Sequence, residues 1–177
     1  MTKKKTSFIG LLLVLVILVG FLSFFYYTLR NGEITKELFT TSDIIRKEFK
    51  NKPGYWGLDN KFIIEKNLIN NVNENRIVNG LGKNVIIGKD FEGYKVMPGE
   101  RTFDVTYIGL NQKECINLVA YELQESQKIS LVSVKVKNIE KVVEFSWDGE
   151  NKLPISIDSA KIVCKNNQQN DILWTFE

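Results

Sequence analysis

Two cysteines and no histidine limit the chemistry open to this sequence. Without histidine, the commonest general base and the commonest metal ligand are both missing. Cys115 and Cys164, with no other soft ligand, do not make a zinc site. They fit either two buried thiols or one disulfide, and the redox character of the compartment chooses between these. A serine paired with a lysine is the nucleophile arrangement still available to such a chain. Ser42 stands alone in a helical pattern, and Ser130 and Ser133 alternate with valines and read as strand surface. The carboxylate pairs Glu122/Glu125 and Asp90/Glu92 look like solvated faces. Residues 79–83, NGLGK, carry the glycines of a phosphate loop without its spacing or its Lys-Ser/Thr ending, and read as a turn. The expectation is a protein that is not an enzyme and holds no cofactor and no metal.

The elements that position these residues begin with an apolar run. Residues 8–29, FIGLLLVLVILVGFLSFFYYTL, contain no charge and no proline. As a helix they reach roughly 33 Å, close to the thickness of a bilayer's hydrocarbon core. Lys3, Lys4 and Lys5 precede the run and Arg30 follows it, so the positive-inside rule puts the N-terminus in the cytoplasm and the rest outside. A cleaved signal peptide is the competing reading, but its apolar stretch is shorter and ends in small residues, whereas this one ends in Phe24, Phe25, Tyr26 and Tyr27. Export favours a Cys115–Cys164 disulfide over two free thiols.

The net charge of +3 comes from the tail. Subtracting its three lysines from the 24 basic residues leaves parity with the 21 acidic ones. A nucleic-acid partner is not expected, because binding phosphates needs a basic surplus to displace counterions.

Beyond the run, Ile34, Leu38, Thr41, Ile45 and Phe49 recur at helical spacing, and Pro53-Gly54 ends the pattern. A second short helix is expected over residues 59–72, capped by Asp59 or Asn60. From Val85 onward the pattern is mostly strand. Phe103, Val105 and Tyr107 alternate with polar residues, as do Val132, Val134 and Val136, then Val143, Phe145 and Trp147. Ile155 and Ile157 suggest a short strand, with Cys164 ending another, and Ile172, Trp174 and Phe176 mark the last. One helix interrupts the strands: Asn111 is its N-cap, and Cys115, Leu118, Val119 and Leu123 share its inner face. The organisation expected is a basic tail (1–7), a transmembrane helix (8–29), its amphipathic continuation (30–52) and an extracytoplasmic domain (53–177).

Taken together, these features resemble a type IVb pilin of the PilS-like branch. Residues 79–87, NGLGKNVII, look like that family's glycine turn and following strand. Residues 101–118, RTFDVTYIGLNQKECINL, look like its Phe-x-Ile-Thr-Tyr strand and the helix with the first cysteine. Cys164, a polar turn and residues 172–176 look like its second cysteine and closing strand. The resemblance implies an α+β fold, with a long N-terminal helix packed on an antiparallel sheet. It also implies a structural role in a type IVb pilus or related secretion filament, as a minor rather than a major subunit, or else a tethered binding module sharing the fold. The implied partners are other pilin subunits through the N-terminal helix, the inner-membrane assembly machinery and the lipid bilayer. The chain would rest in the bacterial inner membrane and leave it for an extracellular pilus. One departure stands out. Lys5-Thr6-Ser7 precede the apolar run where pilins place a processing glycine, Gly10 already lies inside it, and no acidic residue occurs before Glu33.

Overall fold

A computed structural model of the chain describes residues 3–166 and 169–177, without the side chains of residues 3–11, 24–31 and 125. The first element, α1 (Lys3–Phe49), is an unbroken helix, but the chain divides into two units, residues 1–33 and Ile34–Glu177. In the first unit the described apolar side chains, from Leu12 to Leu22, are all more than half exposed, and the Ser23 hydroxyl donates to the Val19 carbonyl at 2.7 Å. That bond satisfies the polar group within the helix itself. Among the described residues no helix is long and apolar enough to cross a membrane. The side chains at both ends of the span expected at residues 8–29, and those of the basic tail, are outside what the structure describes.

In the second unit, α1 turns its stripe inward. Ile34, Leu38, Ile45 and Phe49 are buried as their spacing predicts. Thr41 is only half-buried, and Thr35, Phe39 and Ser42 complete the buried face instead. Beyond it lie α2 (Asn60–Glu65), β1 (Val72–Asn73), β2 (Arg76–Val78), β3 (Asn84–Gly88) and β4 (Phe103–Leu110). They are followed by α3 (Gln112–Val119), α4 (Glu125–Ser130), β5 (Leu131–Lys137), β6 (Val142–Ser146), α5 (Ile157–Val163) and β7 (Asn170–Phe176). The seven strands form one antiparallel sheet in the order β1-β2-β3-β4-β7-β5-β6.

The core lies between α1 and one face of this sheet. Phe103, Val105 and Tyr107 of β4 pair with Phe176, Trp174 and Ile172 of β7, so six large side chains share that face. The Phe176 ring meets Phe103 at 5.6 Å and Phe39 of α1 at 5.7 Å, and Tyr107 meets Trp174 edge-on at 5.0 Å. The opposite face is not bare. Asp104, Thr106 and Leu173 are also buried there. The loop after β3 reaches over that face: the Asp90 N–H donates to Asp104, and the Lys137 ammonium lies 5.0 Å from the Phe91 ring.

Four expectations need correction. The second helix ends at Glu65, because Asn67 takes a left-handed backbone and the asparagine-rich stretch beyond it forms a tight β1–β2 hairpin, with Glu74 and Asn75 both at positive φ. Residues 155–157 do not form a strand. The Ser156 side chain accepts from the Ser159 N–H and starts α5, so Cys164 ends a helix rather than a strand. Three helices interrupt the strands rather than one. Finally, α3 stops at Val119, leaving Leu123 and Glu122 in a loop, apart from Glu125.

Candidate functional site

Three sets of residues have the placement needed for function: the cysteine junction, the turn that docks on α1, and a cationic groove at the end of that helix.

The cysteine junction starts from Asn111. Its side chain accepts from the Glu114 N–H, and Glu114 accepts in return from the Asn111 N–H, both at 2.9 Å, forming a capping box. This fixes the start of α3 and places Cys115 on its inner side. Cys164 arrives at the end of α5. The two residues are fully buried and joined by a disulfide, with Cα atoms 5.8 Å apart across a separation of 49 residues. Gln112 donates to the Cys164 carbonyl at 3.0 Å, and Asn170 donates to the Leu110 carbonyl at 3.2 Å, so β4, α3, α5 and β7 meet at one knot. Asn111→Ala removes the cap of the helix that carries Cys115. It is expected to lower stability by about 1 kcal/mol, read as a shift in urea midpoint with unchanged slope. An unchanged midpoint would show that the knot holds α3 without its cap.

The NGLGK segment is a turn, as its composition predicts. The Asn79 side chain accepts from the N–H groups of Leu81 and Lys83, each at 3.0 Å, and Gly82 sits at φ +73°. The turn also docks on α1. Glu37 accepts from the Gly80 N–H and from Asn71, both at 2.9 Å. A Cβ at Gly80 would meet the end of the Ile34 side chain at 2.6 Å, so any larger residue there requires that side chain to shift. Beneath it the Tyr107 phenol is held well above its usual pKa by burial, and secondarily by the Glu37 carboxylate. Sequence reasoning does not single out Glu37, because a lone carboxylate on a helix gives no sign of the backbone that will meet it.

The serines considered for nucleophilic chemistry are not exposed to a substrate. Ser42, Ser130 and Ser133 are all buried, Ser42 without a hydrogen-bond partner, which corrects the strand-surface reading of the other two. Both sheet faces being covered is the physical reason for Ser133. Among the described residues no group of three or more Cys, Asp or Glu converges as a metal site.

The groove was not anticipated. Arg46 and Lys47 from the last turn of α1, Lys50 and Lys52 just beyond it, and Arg101 from the loop before β4 line an open groove of about 740 Å3. The Tyr55 ring forms part of its wall, 4.6 Å from Phe103 and 5.5 Å from Phe49. Burial raises the Tyr55 pKa, against the lowering effect of Arg46. The overall parity of charge hid this cluster; the run of basic residues at 46–52 was its visible sign.

No protein-family model matches the chain, and no curated protein matches it in sequence. In structure it is similar to a type IVb pilin from Salmonella typhi solved by crystallography, with a TM-score of 0.54 and 13% identity. The match covers 81% of this chain and 97% of that one. A likeness at this identity concerns the fold. The pilin-like α+β fold expected from the sequence is the fold observed, a helix packed on an antiparallel sheet.

Proposed function

We propose that this chain is a structural subunit of a type IVb pilus or related secretion filament, a minor component rather than the major one, and not an enzyme. The observation that carries this reading is the fold likeness, which spans nearly all of the Salmonella pilin. In this reading residues 1–7 stay in the cytoplasm and residues 8–29 anchor the chain in the inner membrane. Residues 30–52 carry the helix onward, and residues 53–177 form the exported domain. The uncharged run and the exposed apolar side chains from Leu12 to Leu22 support the anchor. Assembly would exchange lipid contacts of these helices for contacts with other pilin subunits, driven by the inner-membrane machinery.

The minor role rests on the missing acid. In the pilins this chain resembles, a glutamate within the apolar helix pairs with a neighbour's amino terminus, and a charge in lipid gains much from pairing. Here the first acidic residue is Glu33, and smooth Leu/Val packing gains little over lipid tails. The same absence favours, as second reading, a tethered binding module that does not polymerise. The chain expressed with the assembly machinery and a full set of pilin subunits is expected in sheared filaments as a minority component. Expressed without the other subunits, it is expected to give no long filaments. Long homopolymers would overturn the minor role, and absence from all sheared filaments would favour the tethered module.

A further inference from the structure

The charges of the folded domain are nearly balanced in number but not in space. Five cationic side chains border the groove at the end of α1, against one acidic lining residue, Glu177. Arg46 reaches Asp43 at 3.5 Å, and Lys52 reaches Glu48 at 3.3 Å while lying 4.1 Å above the Phe49 ring. Lys47, Lys50 and Arg101 have no carboxylate partner among the described residues, and all three are exposed. Like charges held together without partners create a local positive potential that draws anions.

Tyr55, in the groove wall, belongs to a built double loop. The Tyr55 N–H donates to the Glu100 carbonyl at 3.2 Å, Gly57 to Val96 at 2.9 Å and Val96 to Leu58 at 3.0 Å. Backbone bonds therefore fix residues 55–58 against 96–100. On this fixed platform Trp56 is 67% exposed and Met97 62% exposed. Trp56 directly follows the groove-lining Tyr55. Tryptophan is highly buried on average, so an indole held out in water one residue beyond the groove wall marks this loop as a contact surface.

We propose that this groove binds an acidic oligosaccharide. Lys47, Lys50 and Arg101 take its carboxylate or sulfate groups, and the flat indole of Trp56 takes the apolar C–H face of a sugar ring. The volume suits a short chain of sugars, within the ordinary range for ligand sites of roughly 300 to 1,000 Å3. A duplex would need a longer basic stripe than this domain of balanced charge supplies. Trp and Arg are enriched at protein interfaces as well, so an acidic peptide is the competing ligand that the test has to exclude.

The test uses the full chain in detergent micelles and four probes of similar length: hexagalacturonate, neutral maltohexaose, hexa-aspartate and a six-nucleotide DNA. Binding is read by calorimetry and by tryptophan fluorescence. Hexagalacturonate is expected to bind, with the other three weaker by about tenfold or more. Lys50→Gln/Arg101→Gln is expected to weaken it by about tenfold through loss of two charge-assisted contacts. Trp56→Ala is expected to weaken it severalfold while leaving the salt dependence unchanged. The tail lysines Lys3, Lys4 and Lys5 are present in every variant, so binding that survives both substitutions belongs to the tail and overturns the proposal. So does equal or tighter binding of hexa-aspartate or DNA, or no binding of hexagalacturonate. None of these outcomes depends on whether the chain polymerises.

Discussion

Replacing both Cys115 and Cys164 with alanine lowers the unfolding free energy of the Ile34–Glu177 unit by roughly 4 kcal/mol. This is the chain-entropy value for a loop of this length, 49 residues of separation. The loop holds α3, α4, β5, β6 and α5. Its release frees more than a quarter of the chain in the denatured state. The native state also loses the tie between α3 and α5 at the point where β4 and β7 enter the sheet. Denaturant unfolding of the full chain, followed by the fluorescence of the buried Trp174, gives the number. Two companion measurements guard the interpretation. Alkylation of the denatured, unreduced wild-type protein should add no alkyl group. Reducing agent should shift the midpoint of the wild type and leave that of the double variant unchanged. Uptake of two alkyl groups, or identical midpoints throughout, would mean that the bond does not form.

Phe176→Ala produces a loss of comparable size, about 3 to 5 kcal/mol, the cost of deleting a fully buried aromatic side chain. Phe176 is completely buried and touches rings on two other elements, Phe39 of α1 and Phe103 of β4. Its removal leaves a cavity bounded by a helix on one side and a paired strand on the other, neither free to collapse into it. The effect is expected in the unfolding midpoint and in faster proteolysis of the domain. Phe176→Leu, which keeps much of the volume, should recover more than half of the loss. A loss below about 1 kcal/mol for the alanine variant, well under this range, would show that α1 and β4 close the gap. The helix would then be held on the sheet chiefly by contacts elsewhere, such as those of Leu38 and Ile45.

The legible parts of this fold were those where a residue's fate depends on its near neighbours. Ile34, Leu38, Ile45 and Phe49 announce a buried helical face, Phe103, Val105 and Tyr107 a buried strand face, and Asn111 a helix start, and all do what their spacing implies. The misread parts were short or governed by distant partners. Ile155-Ser156-Ile157 offers the same alternation whether a strand runs through it or Ser156 caps a helix, and only the burial of Ala160 and Val163 on the next turn decides. Asn60 looked like a possible cap. Its side chain instead donates to the Val85 carbonyl and accepts from the Ile87 N–H, filling the edge of β3 where β2 is too short to pair. The groove draws Arg101 to the end of α1 across some fifty positions of sequence, and no local pattern carries that meeting.

The strand order has a further consequence for how this protein is made. Among the described strands β7 comes last in sequence, yet it lies between β4 and β5 and joins β1–β4 to the β5–β6 hairpin within the sheet. A chain made from its N-terminus therefore passes through a stage of two half-sheets with raw edges at β4 and β5. Both stay open until the final strand arrives. A copy broken off before Asn170 never closes that gap and presents two unpaired strands to any protease it meets. With β7 in place the inner edges of β4 and β5 are both paired; without it both stay open.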